Sequence, residues 1–244
     1  MRIKSILLSL SVLAALSASV VNATPMITNG NFELTTNGTN KQLSSTVTKD
    51  ADRTTLVGWT SSNGNDGGYN FVLNGSIANT KESAIWLQSR DNGFTTSPVG
   101  GNVFASDAMY HPGTLSQTVK GLSVGGFYTL TFNYALAQQV GFTGANQDNY
   151  WQVGFGKSTQ KTSFLSIPDG GFSGWKTASM TFAATSVSEA LSFLAKGTSP
   201  GAPPFLLLDN VSMTNAVPEP ATWTMMLAGL GLIGLLARRR RAAR

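Results

Sequence analysis

Phe127-Tyr128-Thr129-Leu130-Thr131-Phe132-Asn133-Tyr134 carries a large apolar side chain at every even position and mostly polar ones between. A period of two is the signature of a strand with one buried face. The run 177–182 alternates in the same way, and the sequence predicts further strands at 26–34, 56–60, 70–73, 84–87, 115–119, 150–156, 190–195 and 204–214. Clusters such as Asn63-Gly64-Asn65-Asp66-Gly67-Gly68 and Asp169-Gly170-Gly171 separate them and read as turns. No helical period of 3.6 stands out between 24 and 217. About ten short strands joined by turns predict an all-β fold, an antiparallel β-sandwich or jelly roll.

Composition narrows the chemistry. The 244 residues hold no cysteine and one histidine, which excludes disulfide scaffolds, thiolate metal sites and cysteine nucleophiles. The net charge of +5 comes from the ends. Between residues 24 and 217 there are 10 Lys and Arg against 11 Asp and Glu, a balance of −1. A nucleic-acid-binding domain needs a basic footprint of its own, so that class is set aside.

Both ends read as addresses. Arg2 and Lys4 precede an apolar stretch at 6–21 that closes on Val21-Asn22-Ala23, the pattern of a secretory signal peptide over 1–23, cut by signal peptidase after export begins. At the other end, Pro218-Glu219-Pro220 precedes an uncharged apolar run, 221–237, and then Arg238, Arg239, Arg240, Arg241 and Arg244. As a helix, 17 residues span about 26 Å, enough for a short transmembrane segment. The arginines place the tail in the cytoplasm and everything before Pro218 outside. Gly229, Gly231 and Gly234 spell a dinucleotide fingerprint, but inside the apolar run, with no acid after it, they suit helix packing instead.

This tail, 215–244, resembles the PEP-CTERM sorting signal. The resemblance implies an exosortase, a membrane-embedded transpeptidase-like enzyme of Gram-negative bacteria, as partner. The protein would be held in the inner membrane, cut near Pro218-Glu219-Pro220, and passed to the cell surface or the extracellular polysaccharide.

The central domain, 24–214, resembles the galactose-binding-like jelly roll of many carbohydrate-binding modules. The matching pieces are Asn29-Gly30-Asn31-Phe32-Glu33, Gly58-Trp59, the run 115–122 leading into the strand at 128–134, and Leu207-Leu208-Asp209-Asn210-Val211. The resemblance implies glycan binding or adhesion. It also implies a structural calcium between Glu33 and Asp209, completed by backbone carbonyls. On alternation alone Asp209 shares a face with Phe205, Leu207, Val211 and Met213, where a carboxylate needs a partner.

Sugars stack on flat rings. Trp86, Trp151, Tyr110 and Tyr150 lie beside polar or glycine-rich stretches, and Tyr150 and Trp151 with Asp148 and Asn149 form the preferred ligand cluster. Trp59 and Trp175, each after a glycine at a strand start, read as packing residues. Catalysis has little support: Gly121-Leu122-Ser123-Val124-Gly125 matches a nucleophile elbow, yet it precedes a strand, and His111 comes before it in the chain. The expectation is therefore a non-enzymatic, exported surface or matrix protein that binds glycan or exopolysaccharide. A structural or self-associating matrix protein is the alternative, and a polysaccharide hydrolase the remoter one.

Overall fold

A computed structural model describes residues 26–64, 66–87, 92–197, 203–216, 228–233 and 238. The signal peptide, Pro218-Glu219-Pro220 and Arg239, Arg240 and Arg241 lie outside the described residues, as do parts of the apolar run. Residues 228–233 are helical, and Arg238 is exposed. Among the described residues no helix is long and apolar enough to cross a membrane.

Among the described residues thirteen strands form two facing sheets. They are β1 (Lys41–Leu43), β2 (Arg53–Thr54), β3 (Thr60–Ser62), β4 (Asn70–Asn74), β5 (Asn102–Asp107), β6 (Thr114–Lys120), β7 (Phe127–Gln138), β8 (Asn146–Phe155), β9 (Ser158–Lys161), β10 (Leu165–Ile167), β11 (Lys176–Ala183), β12 (Ser188–Lys196) and β13 (Pro204–Asn215). One sheet runs β11-β7-β13-β5-β4-β1-β2, the other β10-β8-β12-β6-β3 with β9 on the flank of β8. Every pairing is antiparallel except β1 with β2. The all-β sandwich expected from the alternation is the observed fold.

The expected strands at 26–34 and 84–87 are instead turns and bends, and that at 56–60 is a turn leading to β3, which begins at Thr60; isolated bridges join Thr35 with Leu56 and Leu87 with Gln139. Strand β5 escaped the sequence reading because it does not alternate: all six of its residues are buried. The reason is that both faces of its sheet are covered. Between the sheets lies the main core, built on Phe32, Phe104, Phe132, Trp151, Phe155 and Phe193. On the outer face of the seven-stranded sheet a second apolar cluster, Phe71, Leu73, Val103, Ala105, Phe205 and Leu207 among others, sits beneath loops that supply Ala78, Ile85 and Leu87.

This double covering corrects the face assigned to β13. Leu206 and Leu208 enter the main core, whereas Phe205 and Leu207 enter the outer cluster. The pairing with β7 then shifts register between Asp209 and Ser212, with Asn210 at φ 54°. Such a bulge reverses the phase of a strand, so Val211 and Met213 join the main core. Asp209 falls at the break, on the side of Phe205 and Leu207.

Residues of the segments 29–33, 58–59 and 207–211 meet around that bulge. Asn29 bonds Leu34 in both directions and donates to the Val57 carbonyl at 3.1 Å. Trp59 Nε1 donates to the Asn29 carbonyl at 3.0 Å, and Gln117 bridges Thr28 and Gly58. Gly30 accepts from the Val211 amide at 2.8 Å, and a Cβ there would collide with the Val211 carbonyl. These residues weld the first segment to the last strand; they are architecture. Gly30→Ala is therefore expected to cost about 1–3 kcal/mol or more by overpacking against backbone, lowering the Tm by roughly 2–12 °C in a thermal melt.

Candidate functional site

The sequence-predicted ligand residues do not converge. Trp151 is fully buried, packs against Phe104 and Phe193 at ring distances of 5.8 and 6.2 Å, and donates its indole N–H to the Leu207 carbonyl at 3.1 Å. No face of that ring is open to a sugar, so Trp151 belongs to the core. Its strand alternates, and inward positions at 151, 153 and 155 follow from the apolar pattern. Tyr150 points the opposite way, half-buried, edge-on to Phe164 at 5.3 Å with Lys161 Nζ 5.6 Å from its ring centre. Asp148 is exposed at φ 55°, and its amide donates to the Ser166 hydroxyl. Trp86, on the connection between β4 and β5, is 42% exposed and donates its indole N–H to the Asn79 carbonyl of the same connection.

What does converge is a cleft of about 360 Å³ lined by Gln42, Asn63, Asp66, Gly68, Tyr69, Tyr110 and His111. Two turns build it. The 63–68 turn is closed by Asn63 Oδ1 accepting from the Asp66 amide and Asp66 Oδ1 from the Gly68 amide. The 108–113 turn is closed by Asp107 Oδ1, which accepts from the amides of Met109 and Tyr110 at 2.8 and 3.0 Å. The Tyr69 amide donates to the His111 carbonyl, and Gln42 Nε2 to the Gly68 carbonyl, so the turns are locked side by side. Gly68, at φ 74°, lies so close to Gly113 that a Cβ would sit 2.6 Å from its backbone. Only glycine permits both the conformation and the approach.

Two tyrosines form the apolar part. Tyr69 and Tyr110 meet edge to face at 5.1 Å, and His111 stands against Tyr110 at 4.5 Å. Tyr69 is anchored by Phe71 and Phe205 of the outer cluster, whereas Tyr110 is 58% exposed. Burial pushes the Tyr69 phenol up, with the Asp107 and Tyr110 charges adding to it, so the hydroxyl is a neutral donor at physiological pH. Burial also raises Asp107, against the two amides that favour its charged form. Sequence reading reached Tyr110 as an aromatic beside polar residues but missed Tyr69, Gln42 and Asp66. Their meeting depends on the pairing of β1 with β4 and β4 with β5, which no local pattern reveals.

A second polar site lies at the β13 bulge. Asp209 is fully buried; its Oδ1 accepts from the Asn210 amide at 2.6 Å, and its Oδ2 has no hydrogen-bond partner. Burial pushes this carboxyl up to about 6, and the Glu33 charge adds to the rise, while Ser97 and the Asn210 amide favour the ionised form. Glu33 is exposed, and its Oε1 accepts from the Asn102 amide at 2.6 Å. A buried carboxyl with an orphaned oxygen, made costlier to ionise by the Glu33 charge, fits a hard cation that takes oxygen ligands. Among the described residues no cluster of three or more His, Cys, Asp or Glu is poised for a metal, so carbonyls and hydroxyls would complete the shell.

Residues 216–241 match the PEP-CTERM protein-sorting motif. No curated protein matches the chain. Among solved structures, the carbohydrate-binding module TmCBM61 in complex with β-1,4-galactotriose is similar at 13% identity and a TM-score of 0.42, over 79% of this chain and 99% of that one. The K3 cleaved adhesin domain of Lys-gingipain from Porphyromonas gingivalis gives 12% and 0.35, over 51% and 82%. A CBM4 module gives 12% and 0.32, over 78% and 99%. Residues 25–214 match the family model described as Protein of unknown function (DUF642), and the chain belongs to that family.

Proposed function

We propose that this is an exported, exosortase-processed surface or matrix protein whose sandwich binds glycan in the cleft of Tyr69, Tyr110 and His111. The observation that carries the reading is the cleft itself. Its volume is in the range of sugar-sized pockets, one exposed ring offers a stacking face, and Gln42, Asn63, Asp66, His111 and the Tyr69 hydroxyl supply directional polar groups around it. Asp66 is the one carboxylate in the lining among the described residues. Glycoside hydrolysis needs two carboxyl groups flanking the bond, so binding suits this cleft better than turnover.

The sorting-motif match supports the itinerary proposed: export under the signal peptide, retention in the inner membrane by the 221–237 segment and its arginines, cutting near Pro218-Glu219-Pro220, and delivery to the surface or exopolysaccharide. Leu230, Leu232 and Ile233 are 58–65% exposed, as expected of side chains meant for lipid. A calcium ion at Asp209 and Glu33 would act structurally, neutralising the two carboxylates and joining the first segment to the last strand.

Tyr110→Ala tests the cleft. The side chain is mostly exposed, so the Tm should move by less than about 2 °C. Retardation of the full chain in native gels containing exopolysaccharide from the producing host should fall at least tenfold, in line with a lost stacking contact. Unchanged retardation would remove the cleft from glycan binding. Converting Pro218-Glu219-Pro220 to alanines should leave full-length protein in the inner membrane; normal release would contradict exosortase processing.

A further inference from the structure

We propose that the end of the sandwich beside the chain exit rests on the bilayer surface while the protein is tethered. Val124, Phe127 and Val187 are exposed there by 67, 56 and 63%. Val124 lies in the turn 121–126 between β6 and β7, Phe127 opens β7, and Val187 lies in the turn 184–187 between β11 and β12. The turns are bound side by side: the Leu122 amide donates to the Val187 carbonyl at 3.1 Å, Gly125 to Ala184 at 2.8 Å, and Ala184 to Gly126 at 2.9 Å. Three large apolar side chains on two adjoining turns and the first residue of β7 form a patch rather than scattered surface residues.

The chain leaves the domain at the same place. The Ala216 amide donates to the Phe127 carbonyl at 2.8 Å, and Asn215 pairs with Tyr128. From Ala216 to residue 221, where the apolar run begins, are five Cα steps, at most about 18 Å fully extended. A domain tethered so closely holds this end against the membrane. The surrounding charge suits anionic headgroups. Lys120, in register with Ser188, and Lys157 are exposed at this end. Glu189 is turned inward, its Oε1 accepting from the Thr185 amide and hydroxyl and the Ser186 amide, and Lys157 adds to the lowering of its pKa. Two lysines against the one ionised glutamate leave this end weakly positive, which with the apolar tips suits an interfacial contact with anionic headgroups.

The inference rests on the membrane-tethered reading, and the test separates the two. The chain has no cysteine, so single cysteines accept an environment-sensitive fluorophore cleanly. Val187→Cys reports the patch, Met109→Cys the opposite end of β6, and Ala228→Cys the tail. Each full-length variant is reconstituted in vesicles of phosphatidylethanolamine and phosphatidylglycerol, with iodide as aqueous quencher. The expected result is a tail probe shielded tenfold or more, a Val187 probe shielded at least threefold, and a Met109 probe quenched freely. Adding Val124→Ser and Phe127→Ser should return the Val187 probe to free quenching without exposing the tail. A shielded tail with a freely quenched Val187 probe would overturn the docking and leave the tether standing. An unshielded tail would overturn both. Shielding at Val187 that rises with protein-to-lipid ratio would mean that a second copy covers the patch, and would also overturn the proposal.

Discussion

Replacing Trp151 with alanine is expected to destabilise the domain by about 3–5 kcal/mol, a large share of the roughly 5–15 kcal/mol a domain possesses. The indole is fully buried among Phe104, Phe193 and the rest of the inter-sheet core, and its N–H crosses from the six-stranded sheet to the Leu207 carbonyl on β13. Truncation leaves a cavity and frees a buried carbonyl from its partner. In a thermal melt the Tm should fall by roughly 6–20 °C. Trp151→Phe retains most of the volume and loses the hydrogen bond, so it should cost less, about 1–3 kcal/mol. A Trp151→Ala protein with native stability and lost glycan binding would reinstate Trp151 as a ligand platform and contradict the packing described.

The second large effect concerns Asp209. Its folded-state pKa is raised from 3.8 to about 6. The folded protein therefore holds this proton more tightly than the unfolded chain, and stability falls as pH rises from about 4 through 6. A shift of that size corresponds to at most about 3 kcal/mol, lost by neutral pH. In the presence of a chelator, Asp209→Asn should raise the Tm at pH 7.5 by several degrees and should leave it nearly unchanged at pH 4.5. Asp107 titrates in the same direction, but it is common to both proteins, so the difference between them isolates Asp209. Millimolar calcium should stabilise the wild type at pH 7.5, lose its effect as pH falls below about 6, and leave Asp209→Asn unmoved. A wild type indifferent to both calcium and chelator would remove the cation from the account.

Much of the architecture was legible in the sequence because most strands have one wet face. The alternation of β7 and β11 gives both their existence and their inward residues. It fails for β5, which is buried on both faces, and for β13, where the bulge at Asp209 and Asn210 changes phase midway. Asp209 stood out correctly as a carboxylate in an apolar strand, but its surroundings depended on that bulge. The candidate site was less legible. Trp151 was singled out by its polar neighbours in sequence, whereas strand geometry sends neighbours to opposite faces, Tyr150 outward and Trp151 inward. The cleft gathers Gln42, Asp66, Tyr69 and Tyr110 from three segments, and only the long-range pairing of β1, β4 and β5 brings them together.

Hydroxyl-radical footprinting of the full chain, with and without exopolysaccharide from the producing host, is the most direct test of the glycan-binding cleft. Protection is predicted at Tyr110 and His111, with Trp86, Tyr150 and Phe164 modified equally in both samples. Protection concentrated at those three residues, or at none of the aromatic positions, would contradict the assignment of the cleft as the glycan site.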